Sequence, residues 1–227
     1  MFFGDPTYVL LLPAIILAVY AQFKVQSTFR RYSEIRSATG YTGAQIALEL
    51  LRRQGITDVK IEPVQGMLAD HYDPRAKVLR LSPDVYGSDS LAAIGVAAHE
   101  TGHAVQHQVR YAPLALRSAI VPLASYGSSA AWILFLIGLI VSNRALMDLG
   151  ILIFLGYVLF ALVTLPVEFN ASARAVQLLQ GHGFVLPQEA QGVRAVLNAA
   201  ALTYVAAAAM AVLQLVRLIA LRNMRDD

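Results

Sequence analysis

Unbroken apolar stretches alternate with mixed polar segments along this chain, and their lengths separate membrane-spanning from domain-forming sequence. Tyr8 to Phe23 is an apolar run with Pro13 inside it, ended by Lys24. It is at the short end for a span across a hydrocarbon core about 30 Å thick. It lacks the basic start and small-x-small exit of a cleaved leader, so residues 1–23 read as an uncleaved transmembrane anchor. Ala119 to Val141 and Leu149 to Val167 are two further apolar runs joined through Ser142-Asn143-Arg144, which predicts a transmembrane helical hairpin over 119–167. Residues 199–227 predict an Ala-rich C-terminal helix. Its Ala199 to Leu215 stretch is a weaker candidate for a fourth span, because alanine contributes little on leaving water.

The mixed segments, 24–118 and 168–198, carry the local signals of a small folded domain. Thr42-Gly43-Ala44-Gln45 has the capping-box pattern, Ile46, Leu50 and Leu51 follow at helical spacing, and Gly55 supplies a stop. Val59 and Ile61 alternate before Pro63, and the turn Asp73-Pro74-Arg75 predicts a hairpin pairing Met67 to Tyr72 with Lys77 to Leu81. Leu91 to Val105 is apolar almost throughout and predicts a helix that Ser88 or Ser90 can cap. The pattern as a whole describes a mainly α membrane protein with a small α+β domain.

Composition agrees with a membrane protein: 57% of the 227 residues are hydrophobic, 15% are charged, and the mean hydropathy is +0.55. With no cysteine, any zinc must be held by histidine and carboxylate. The net charge of +3 comes from a bias along the chain, since twelve of the 18 Lys and Arg lie between Lys24 and Arg117 and none precedes Lys24. Membrane topology explains that bias better than a nucleic-acid partner, and it predicts a cytoplasmic position for the polar domain. Arg217, Arg222 and Arg225 count against that orientation if the last helix spans.

The chemistry is concentrated in His99-Glu100-Thr101-Gly102-His103, an HExxH on the predicted Leu91 helix. Positions i and i+4 share a helix face about 6 Å apart along the axis, so both imidazoles can reach one ion with Glu100 beside it. A catalytic zinc usually takes three protein ligands and leaves a fourth position open. His107 lies about 12 Å along the axis from His99, too far to converge with the pair, and reads as a supporting or surface residue. Gln106 and Val109 stand where the longer metzincin pattern needs Gly and His. Asp148, in Leu146-Met147-Asp148-Leu149-Gly150, looks a little like the aspartate of site-2-type intramembrane proteases, but a span over 119–141 would leave it on the opposite face, roughly 30 Å away. Glu168 follows the third span, so two crossings return it to the side of the histidine pair; it is the remaining strong candidate.

Four pieces of sequence, in order, make the chain resemble the YugP family of membrane-bound neutral zinc metallopeptidases, which is related to the HtpX-type and prenyl-protein-processing membrane proteases. They are Asp70-His71-Tyr72-Asp73-Pro74-Arg75, Leu79-Arg80-Leu81-Ser82, Gly95 to Ala104, and Leu165-Pro166-Val167-Glu168-Phe169-Asn170-Ala171-Ser172. The resemblance implies a zincin-like catalytic domain of the gluzincin type with one Zn²⁺ per chain, held by His99, His103 and Glu168. In HtpX-like relatives the residue four after the ligand Glu is typically Asp, placed to orient a ligand His; here it is Ser172. Asn170 or Ser172 is expected to hold an imidazole N–H.

The expected function is peptide-bond hydrolysis with Glu100 as general base, acting on membrane-associated or misfolded proteins at a multi-pass cell-membrane site facing the cytoplasm. His182, Tyr72, His71 and Arg174 are candidates for stabilising the oxyanion. The hairpin ending in Val78-Leu79-Arg80-Leu81 is a candidate edge against which a peptide could pair. Two other classes are compatible with the motif: a non-enzymatic membrane adaptor or chaperone-like protein with a structural zinc, and a site-2-type intramembrane protease using Asp148.

Overall fold

The computed structural model describes residues 6–66 and 69–224, which fall into two compact units. One is drawn from the chain up to Ala21, Ala115–Pro166 and the chain from Thr203 onward; the other from Gln22–Leu114 and Val167–Leu202. In chain order the elements are a 3-10 turn at Pro6–Leu11, then α1 (Leu12–Ser33), α2 (Gly43–Arg53), β1 (Lys60–Pro63), β2 (His71–Asp73) and β3 (Val78–Leu81). After these come α3 (Pro83–Tyr86), α4 (Leu91–Gln108), α5 (Ala112–Ile140), α6 (Arg144–Gly181) and α7 (Glu189–Asn223).

The helix carrying Pro6–Ser33 and the helices α5, α6 and α7 are each long and apolar enough to cross a membrane. The fourth, α7, is the Ala-rich stretch that composition alone left as the weakest. In the unit these helices build, Phe135, Phe154, Val158 and Leu218 form a core, and large residues such as Ile16, Val19, Ile133 and Leu152 stay exposed. Such an apolar exterior would be unstable in water and is what contact with lipid tails requires. The turn between α5 and α6 is tight. A Cβ added at Gly138 would lie 2.8 Å from Met147 N, and one at Gly150 would lie 2.7 Å from the Ala131 carbonyl oxygen.

Several boundaries differ from those the apolar runs predict. α1 does not stop at Lys24 but continues to Ser33, because Lys24 to Ser33 holds no Gly or Pro; the loss of hydrophobicity ends the apolar face without ending the helix. Pro13 lies at the second position of α1, where a missing N–H costs nothing. α6 likewise runs past Glu168 to Gly181, stopping where Gly183 takes φ +71° and Phe184 N–H bonds the Leu179 carbonyl.

In the second unit, the Thr42 hydroxyl accepts from Gln45 N–H while the Gln45 side chain accepts from Thr42 N–H, so the predicted capping box is present, and Gly55 follows the helix with φ +69°. Ser90 caps α4 by accepting from Ala93 N–H, and Ser88 donates to the Ser90 hydroxyl instead. The sheet has the order β1-β3-β2. β2 pairs antiparallel with β3, His71 opposite Arg80, and Asp73 closes the turn by accepting from Arg75 and Ala76 N–H. The hairpin is therefore the predicted one, with its paired part beginning at His71; Met67 lies outside the described residues. β1 pairs parallel with β3. β3 is therefore bonded on both sides, and the edge that the hairpin leaves open is β2, with β1 as the other outer strand.

α4 is enclosed. Ala93 and Ala97 pack with Leu79, Leu81 and Val85 on the sheet side, while Ile94 and Ala98 pack with Leu50, Leu179, Val193 and Leu197. A helix buried on several faces has no polar stripe, which is why its sequence lacks amphipathic periodicity. Fully burying each of Leu50, Leu79, Ile94 and Leu179 contributes roughly 1.5–3 kcal/mol and anchors the helix that carries the motif.

Candidate metal centre

His99 and His103 stand one turn apart on α4, and Glu168 reaches them from α6. Glu168 Oε2 lies 3.2 Å from His99 Nε2 and 3.5 Å from His103 Nε2, and one donor atom from each of the three residues fits within 4.8 Å of the others. Tetrahedral zinc with bonds of 2.0–2.2 Å places neighbouring donors about 3.4 Å apart, so the spacing and the N,N,O donor set fit that ion. Both histidine side chains are nearly buried and the Glu168 carboxylate is 2% exposed. A carboxylate so far from water needs cationic partners to offset its desolvation.

The convergence depends on a close approach at Gly102. A Cβ there would lie 2.7 Å from the Ala171 carbonyl oxygen and 3.2 Å from Ala171 Cα, so only glycine lets this turn of α4 lie against the turn of α6 that follows Glu168.

Each ring is held from behind. The Ser172 hydroxyl lies 3.1 Å from His99 Nδ1, and Gln106 Oε1 lies 2.9 Å from His103 Nδ1. The Gln106 amide is oriented by its own bonds: Nε2 donates to the Val167 carbonyl at 2.8 Å and to Asn170 Oδ1 at 3.0 Å, so its oxygen must face His103. With Oε1 accepting, Nδ1 of His103 carries a proton, which leaves Nε2 as the nitrogen that faces Glu168: protonated, it can donate to that carboxylate, and deprotonated it could ligate a metal. The same tautomer follows for His99 when Ser172 accepts.

Gln106, fully buried, is the residue that sequence reasoning missed. Its signal was its place three residues after His103 on the same helix face. Of the two side chains expected at a ring N–H, Ser172 lies at that of His99, while Asn170 accepts from Gln106 and from Arg174 Nε at 2.8 Å.

Glu100 is 8% exposed, and its carboxylate accepts no hydrogen bond among the described residues, though its charge acts on His103. Burial opposes a charge on His103, but the hydrogen bond and charge of Glu168, with Glu100 and Gln106 helping, more than offset it. With no metal bound, its pKa is raised above the usual imidazole value.

The other predicted residues lie elsewhere. Tyr72 Oη is 2.9 Å from His107 Nδ1, beside a cavity of about 490 Å³ that Asp58 and Lys77 also line. Burial first, and the charges of Asp58 and Asp73 after it, push the Tyr72 phenol up to about 12, so it stays a hydrogen-bond donor. His71 bonds the Ala69 carbonyl and Arg80. His182 lies beyond the end of α6 beside Phe184, fourteen residues after Glu168 and so about 21 Å further along that helix. Asp148 is bound by Arg222 at 2.9 and 3.2 Å in the apolar unit.

A family model described as "Putative neutral zinc metallopeptidase" matches residues 7–223. The chain is 48% identical over 219 residues to the Bacillus subtilis (strain 168) protein called "Putative membrane protease YugP", covering 96% of this chain and 97% of that one. No solved structure matches it. With a match of that length and three donors spaced for one ion, the chain belongs to the neutral zinc metallopeptidase family that this model describes.

Proposed function

We propose that the protein is a multi-pass membrane zinc metalloendopeptidase in which His99, His103 and Glu168 hold the ion and Glu100 is the general base. The observation that carries this reading is the meeting of three donors from two helices beside a buried carboxylate that is not itself among them. An ion held by these three residues would supply Lewis acidity to a carbonyl and acidify water. Glu100 takes the proton of the attacking water and passes it to the leaving amine, a role that suits a carboxylate with no hydrogen bond of its own. Ser172 and Gln106 keep both rings in the tautomer that faces Glu168. Arg174, on the same helix as Glu168, is the remaining donor for a developing oxyanion, and an outer strand, β2 or β1, is the edge on which a peptide backbone can pair.

The substrates on this reading are membrane-associated or misfolded proteins, because Glu168 belongs to the same helix as the apolar span. The relative's printed name, a membrane protease, supports the same class. The catalytic unit faces the cytoplasm, where the twelve basic residues between Lys24 and Arg117 favour it. Arg217 and Arg222, which count the other way, are engaged within the apolar unit: Arg217 donates to Thr7 Oγ1 and lies 3.7 Å from the Tyr8 ring centroid, and Arg222 pairs with Asp148. That pairing also speaks against Asp148 as a metal ligand.

The test is Glu100→Gln in the zinc-loaded, membrane-reconstituted protein, assayed on casein and on a misfolded membrane protein. Zinc content should persist and cleavage should fall by at least about a hundredfold. Undiminished cleavage would overturn the mechanism. Wild-type protein that binds zinc but cleaves nothing would favour a structural zinc in an adaptor.

A further inference from the structure

Among the described residues, one buried side-chain polar atom has no hydrogen-bond partner: Nε2 of Gln214 on α7, a residue only 9% exposed. The Gln214 side chain lines a cavity of about 350 Å³ in the apolar unit, together with Ser128, Ser129 and Trp132 of α5 and Tyr157 of α6. Gln214 is eleven residues from Thr203 and nine from Asn223, hence about 17 and 14 Å from the ends of that unit's α7 segment. Ser128 and Tyr157 lie similarly near the middle of their own segments. If these helices span, the cavity is at the centre of the hydrocarbon, where an amide without a partner is costly and a leucine of similar size would cost nothing.

The lining decides what can fill it. It holds hydroxyls, an indole N–H and an amide, but no charge, so its ligand is neutral and hydrogen-bonding. Mid-depth excludes phospholipid headgroups and ester carbonyls, which lie at the interface. Ser125 and Ser129, four residues apart, are both exposed on α5, a small-residue face that allows the backbone of another helix to come close. Rotation about the last torsion of Gln214 exchanges its donor and acceptor, so a second amide is its natural complement.

We infer that this cavity receives an amide side chain, Asn or Gln, from a transmembrane helix of the protein's substrate. The inference rests on the protease reading for the word substrate and on the spanning of α5, α6 and α7 for its depth. It adds a recognition site for membrane-embedded partners, built from residues other than those of the metal centre.

The experiment measures binding, so it does not depend on cleavage. Zinc-loaded Glu100→Gln protein in phosphatidylcholine vesicles is titrated by energy transfer with two synthetic transmembrane peptides, identical except for a central Asn or Leu. The Asn peptide should bind about tenfold more tightly, and Gln214→Leu should abolish the difference. Ser129→Leu, which fills the groove, should weaken both peptides. Equal binding of the two peptides, or an Asn preference that survives Gln214→Leu, overturns the inference. So does energy transfer between labelled copies of the protein that Gln214→Leu removes, which would assign the cavity to self-association. Failure of the wild-type protein to cleave a soluble peptide would instead sink the protease reading alone.

Discussion

Replacing Gly102 by alanine is a direct test of how the metal centre is assembled. The added Cβ lies 2.7 Å from the Ala171 carbonyl oxygen, and ordinary contact begins near 3.4 Å, so the two helices must separate locally by 3.4 − 2.7 = 0.7 Å. The listener on the other side of that contact is backbone, which has no rotamer to change. Alanine is better than glycine in a helix interior by about 1 kcal/mol, while overpacking costs about 1–3 kcal/mol, so the net loss of stability lies between zero and about 2 kcal/mol. Zinc is far less forgiving, since metal–ligand distances tolerate about ±0.2 Å. Glu168 is three residues before Ala171 on the same helix, so the displacement reaches the ligand set. Zinc affinity should fall at least tenfold while the protein still folds. The assay is zinc titration against a competing chelator, with thermal unfolding of the metal-free protein run alongside. Gly95→Ala is the control, because its Cβ would be 3.2 Å from Val193 Cγ1, a side-chain methyl that can move. A folded Gly102→Ala protein that binds zinc as tightly as wild type, or equal losses in both variants, would refute the argument.

Gln106→Ala should lower zinc affinity about 10–100-fold by freeing the His103 ring, and Ser172→Ala should do the same through His99; isothermal titration of the purified variants measures both. Glu168→Ala should abolish stoichiometric zinc while Asp148→Ala leaves it intact, as elemental analysis of the two proteins would show; the reverse pattern would move the third ligand to Asp148. The raised pKa of His103 gives a pH dependence with a definite sign. Without metal, the stability that its protonated form contributes is fully present below its ordinary value of 6.5 and is lost as pH rises through the raised one, whereas zinc affinity, which needs the neutral ring, grows over the same window. Chelator-competition titrations and unfolding curves collected from pH 6 upward should therefore slope in opposite directions.

Local signals were legible wherever the chain satisfies them within a few residues. Thr42 and Gln45 cap α2 through mutual bonds three positions apart, and Asp73 closes its turn on Arg75 and Ala76. Hydrophobic length likewise located the long helices, but it placed the end of α1 at Lys24, because hydropathy reports which faces avoid water and not where backbone bonding ceases. Strand order was not legible: Lys60–Pro63 and His71–Asp73 each carry a single short pattern, and nothing local tells them which side of β3 to take.

By itself the sequence determined that two imidazoles and a glutamate share one helix, since a spacing of four is converted to one face by helix geometry alone. It also determined that any third ligand had to be a carboxylate or histidine, because there is no cysteine. Only tertiary structure brings Glu168 within 3.5 Å of both imidazoles, sets Ser172 and Gln106 behind the rings, and shows the close approach that Gly102 permits. These are contacts between residues 61 to 73 positions apart, and their distances are set by how α4 and α6 pack rather than by any local preference.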